Sequence, residues 1–167
     1  MVVILSTLKM ALKIDRAPYS LILEKEFLLD NSTTYYIGQA VSFGNGGVVV
    51  PATSNILGII VGFTGKDGRV VDQGTGNSIT TPADNTTTKT YWARVAMLNE
   101  DVTLEADFTG SIATHNVGDS YSLAANGMEV NAASRVAPGA PGYPKEVILI
   151  EKVSDTVGKV KIRSRLF

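Results

Sequence analysis

Cysteine is absent from the 167 residues, which excludes disulfide scaffolds, thiolate nucleophiles and Cys-ligated zinc. Histidine occurs once, as His115, so no mechanism or metal site within one chain can draw on two imidazoles. Charge is scarce as well: 19% of residues are charged against 44% hydrophobic, and the formal net charge is -1. Near-neutrality argues against a general polyanion binder. Long apolar runs are missing too. The opening stretch MVVILSTLKMALKI is interrupted by Lys9 and Lys13 and lacks a basic leader, so neither a signal peptide nor a membrane span is expected. So few charges on a chain with slightly positive mean hydropathy, +0.13, imply apolar surface buried against a partner.

Enzyme motifs fail on inspection. The run Gly62, Phe63, Thr64, Gly65, Lys66 resembles a phosphate loop, but the first glycine that loop requires is Ile60, and Asp67 stands where a hydroxyl should bind magnesium. Lys66 to Arg69 reads instead as a turn built on Asp67 and Gly68. Glu105, Asp107 and Asp119 could orient His115 as a base, yet its Ser/Thr/Asn surroundings fit a solvated loop better. Asp101, Glu105 and Asp107 lack calcium-loop spacing. The tripeptides beginning at Asn31 and Asn85 match the glycosylation pattern and read as polar turns. The expectation is a non-enzyme with no metal and no cofactor.

What is present is strand-forming sequence. Runs of Val, Ile, Thr, Tyr and Phe punctuated by Gly, Asn and Asp predict strands at 19–28, 35–43, 48–50, 56–63, 89–98, 102–105, 120–123, 128–130, 146–152 and 159–167. The predicted class is all-β, a small β-barrel or sandwich of antiparallel hairpins spanning 19–167, preceded by an extended or helical arm at 1–18. KTYWARVAML and EVILIEK are apolar on both faces and belong at the centre of the core. Residues 72–88 and 131–144 read as long loops. Residues 37–50 align without gaps to 117–130, matching Gly38 with Gly118, Ser42 with Ser122, Gly47 with Gly127 and Val50 with Val130. Two glycine-turn hairpins can look alike for local reasons; a true echo would place similar hairpins on opposite sides of the fold.

Two features suggest contact with a partner. Lys159, Lys161, Arg163 and Arg165 alternate with Val160, Ile162, Ser164 and Leu166, a basic stripe spaced at about 6.6 Å along a strand. It reads either as an edge strand protected by charge or as a docking stripe for an acidic protein surface. No aromatic residues interleave the cations, so nucleic acid is not expected. In the arm, Leu8, Met10, Leu12 and Ile14 would present one apolar face if extended, suited to insertion into a neighbour.

The run Gly38 to Val41 with Val48 to Ala52, then Ile56 to Ile59 with Gly62, and later Val117, Gly118 and Asp119, resembles the head decoration, or cement, proteins of tailed bacteriophages. The likeness covers 35–130 and is diffuse; the loop at 72–88 and the amino-terminal segment lie outside it. It implies a structural virion protein on the capsid exterior, made in the host cytoplasm, that clamps major capsid protein subunits, often as a homotrimer. A receptor- or glycan-binding module of a fibre or adhesin is the alternative, with Tyr143 and Trp92 as a sugar platform.

Overall fold

A computed structural model of the protein describes residues 12–16, 23–71, 78–99 and 102–163. The strands are β1 (Leu12–Arg16), β2 (Glu24–Leu28), β3 (Thr34–Tyr36), β4 (Ala40–Phe43), β5 (Val49–Pro51), β6 (Gly58–Gly65), β7 (Ser78–Thr80), β8 (Tyr91–Met97), β9 (Thr103–Asp107), β10 (Ser120–Tyr121), β11 (Val147–Lys152) and β12 (Val157–Ile162), with one short helix, α1 (Asn85–Thr88). They form two five-stranded sheets, ordered β2-β8-β6-β4-β5 and β1-β9-β12-β11-β10, and a two-stranded sheet of β3 and β7. Every ladder is antiparallel.

The all-β class is as expected, but no barrel closes among the described residues. There the far edges of each half meet at a single parallel bridge, Leu29 with Val49 and Phe108 with Val130. Two cores result. One side of the first sheet, with Val41, Ile60, Phe63, Val95 and Met97, packs under Tyr35 and Leu29. Its other side, with Ala40, Ile59 and Ala96, joins the cluster of the second sheet, including Leu104, Tyr121, Leu149 and Val160. β8 therefore has apolar cover on both faces, as its composition requires. β11 does not: Val147 and Leu149 are buried, whereas Ile148 is half-exposed and Ile150 exposed.

The two halves repeat one another. The order β2-β8-β6-β4 in the first sheet is the order β9-β12-β11-β10 in the second. Ile59 pairs with Ala40 and Ala96; at the equivalent place Ile148 pairs with Ser120 and Lys161. The ladders slip at the same point, between Ile60 and Gly62 and between Leu149 and Glu151. Before β4 and β10 the chain makes the same turn. Gln39 N donates to Tyr36 O and Asp119 N to Asn116 O, while the side chains of Gln39 and Asp119 accept from Tyr36 N and Asn116 N. Gly38 (φ 82°) and Gly118 (φ 94°) take the left-handed conformation this turn demands. The alignment of 37–50 with 117–130 thus marks a repeated structural unit.

Other expectations change in detail. The loop at 72–88 contains β7 and α1, and 72–77 lie outside the described residues. α1 forms because Asn85, fully buried, bonds Leu29 O at 2.7 Å, Tyr91 O at 3.1 Å and Tyr91 N at 2.9 Å, tying the loop to β2 and β8. The strand predicted at 128–130 shrinks to bridges at Val130. Residues 131–144 form turns with a 3-10 segment, Ala132–Ser134. Part of the segment read as an arm, Leu12–Arg16, is a strand of the second sheet, paired with β9.

Candidate docking surface

β12 alternates as its sequence predicts. Val160 and Ile162 are buried, and Lys159 and Lys161 lie on the opposite face, half-exposed. It is an internal strand, however, flanked by β9 and β11, so its cations do not guard an edge. Nor is the stripe uniformly charged. Lys159 Nζ lies 3.5 Å from Asp15 Oδ2 and 3.2 Å from Glu151 Oε2, and only 19% of its side chain is exposed. Those pairs join β1, β12 and β11 across the outer face, each worth about 1 kcal/mol or less. Arg163, exposed beyond the end of β12, reaches Pro144 O at 3.5 Å. Among the described residues Lys161 and Arg163 have no ion pair, so they carry the stripe's free charge. Arg165 lies outside the described residues, as do Leu8 and Met10.

Leu12 and Ile14 are placed differently from the expected docking face. Opposite Ala106 and Leu104 in the ladder, they point into this chain's own core; Leu12 is 1% exposed and Ile14 packs on the same cluster. A strand that pairs with β9 in this register must send these residues inward. They therefore lie on the opposite face of the sheet from Lys159, Leu12 buried and Ile14 half-buried. Beside them an open cleft of about 270 Å³ runs between β1 and β6, lined by Leu12, Ile14, Ile37, Ile59 and Val61 among others, with no ionisable side chain.

Sequence reasoning missed the exposed apolar residues of the first repeat. Leu23 is 54% exposed and Phe43 50%, and the Phe43 ring meets Phe27 edge to face at 5.4 Å. The signal lay in residues 23–28, where Leu23 and Phe27 alternate with Glu24 and Glu26. Trp92 and Tyr143, the residues of the sugar-platform alternative, sit in different repeats, one on β8 and the other in the loop before β11.

A polar cluster caps the second repeat. The fully buried Asp119 carboxylate accepts from Arg135 Nε at 2.5 Å and from Asn116 N at 2.8 Å through Oδ2, while Oδ1 has no partner among the described residues. The neighbouring Tyr121 hydroxyl is 3.1 Å from His115 Nδ1, and the two rings stack. Burial, then the Asp119 charge, pushes the Tyr121 phenol up to about 12. Burial and then Arg135 lower the His115 pKa, against an opposing pull from Asp119. An imidazole so biased is neutral at pH 7, and its partner is a phenol that does not ionise there. Because Gln39 occupies the place of Asp119 in the first repeat, the shared role of the two side chains is to close the turn. No group of acidic or histidine side chains able to hold a metal ion occurs among the described residues. Comparison with protein-family models, with curated proteins and with solved structures found no match.

Proposed function

We propose that this protein is a structural component of a tailed-phage virion, binding the outer surface of the capsid and stabilising contacts between major capsid protein subunits. The observation that carries the reading is where the resembling residues fall. Gly38 to Val41, Val48 to Ala52 and Ile56 to Gly62 make up β4, β5 and the first part of β6, neighbours in one sheet, and Val117 to Asp119 form the equivalent turn of the other repeat. The likeness therefore follows a folded unit and its repeat. Contact with coat subunits runs through the outward face of the second sheet, where Lys161 and Arg163 supply free positive charge, with Arg165 next in sequence. Weak contacts of this kind gain strength from repetition over a symmetric shell. A homo-oligomer, with a trimer favoured, multiplies them further.

The test is binding to particles that lack the protein. Lys161→Glu combined with Arg163→Glu should cut capsid occupancy by about tenfold or more and remove the added resistance of particles to heat, with the purified variant still folded. Unchanged occupancy would remove this face from the interface. Glycan binding without capsid affinity would replace the proposal with the adhesin reading.

A further inference from the structure

The two repeats differ at one edge. In the second sheet β1 covers the outer edge of β9; in the first sheet β2, the strand equivalent to β9, is terminal and has no outer neighbour among the described residues. The equivalence can be followed residue by residue. Phe27 pairs with Ala93 as Ala106 pairs with Gly158, and Glu26 with Arg94 as Glu105 with Lys159. The backbone direction is also fixed. Leu23 O accepts from Met97 N, and Leu29 N donates to Tyr91 O, so the odd-numbered residues of this stretch bond β8 and the even-numbered ones turn their N–H and C=O outward. Glu24 and Glu26, both exposed, therefore present ladder groups that no strand takes among the described residues.

We propose that the β2 edge receives an extended amino-terminal segment from a second copy of this chain, with Leu8, Lys9 and Met10 standing where β1 places Leu12, Lys13 and Ile14 on β9. Three observations choose this occupant. Leu-Lys-Met at 8–10 repeats the Leu-Lys-Ile of β1. In β1, Lys13 holds the register position opposite Glu105, whose counterpart on the β2 edge is Glu26, so Lys9 would take the register position opposite Glu26, a lysine against a glutamate as in β1 and β9. The register also lays Leu8 beside the half-buried Phe27, whose ring meets the exposed Phe43. Antiparallel pairing of β2 with another β2 centred on this residue sets Glu26 against Glu26, which like-charge repulsion disfavours. Glu24, Lys25 and Glu26 meanwhile protect the edge from indiscriminate pairing. The association is a property of the free protein and holds with or without a capsid.

Sedimentation velocity of the full chain across a range of concentrations tests this. The wild type should show concentration-dependent self-association. Glu26→Lys or Lys9→Glu alone should weaken it about fivefold, and the two together should restore it. Glu26→Pro, at a position whose N–H faces away from β8, should weaken it more than tenfold while leaving the monomer folded. If that variant fails to fold, the charge exchange still decides. A wild type that stays monomeric, or a double variant no better than either single one, overturns the proposal.

Discussion

The Asn85 amide spends both its N–H donors and its oxygen on backbone, holding Leu29 O, Tyr91 O and Tyr91 N where the first repeat draws its edges together. Replacing it by alanine leaves those buried groups without partners, so Asn85→Ala should cost about 3 kcal/mol in urea denaturation; a loss below about 0.5 kcal/mol would show that the loop is held by other contacts. His115 makes a residue-scale prediction in pH. Its pKa is lowered from 6.5 in the folded protein, so between that value and its folded pKa the unfolded chain binds the proton more readily. Its contribution to stability is then complete above pH 6.5 and declines as pH falls through that window. His115→Gln should flatten the dependence between pH 7.5 and 5.5, and as the only histidine its imidazole can be titrated directly by NMR. An NMR pKa at or above 6.5 would contradict the geometry described.

At the scale of elements, glycines mark where strands come too close for side chains. A Cβ on Gly58 would stand 2.3 Å from Ala96 O, whereas one on Gly46 would meet nothing within 4 Å, its cost coming only from φ 75°. Gly58→Ala should destabilise by about 3 kcal/mol or more and Gly46→Ala by about 1 kcal/mol, measured by thermal unfolding. Equal losses would mean that β6 and β8 can part without penalty. Strands with apolar cover were legible in sequence because composition alone reports burial, as in β8 with Ala93, Val95 and Ala96. β7 and α1 were not legible, since their Thr, Asn and Ser residues are held by long-range bonds such as Thr80 Oγ1 with Thr34 Oγ1 and Thr86 N to Asn31 Oδ1 rather than by local propensity. The internal position of β12 was hidden for a related reason. Alternating Lys and Val look the same on an edge as in a sheet whose outer face carries Asp15 and Glu151 as partners.

For the whole molecule, the internal repeat explains how a chain with little charge and no covalent staple holds together. The second core takes in Ala40, Ile59 and Ala96 from the back of the first sheet, so the two repeats are not independent bodies. Denaturation followed by the Trp92 signal in the first repeat and by backbone circular dichroism should therefore give coincident transitions; two separate midpoints would show that the shared cluster does not couple them. The basic stripe expected to dock as a unit resolves into a neutralised Lys159 and free charges at Lys161 and Arg163, and the apolar arm resolves in part into β1. A small, weakly charged β protein whose β2 edge takes no further strand among the described residues is suited to a role played in many copies. The most direct measurement of that claim is the number and location of copies of this chain in purified virus particles. The account predicts hundreds per particle, distributed over the outside of the head; absence from particles, or a handful confined to the tail, would contradict it.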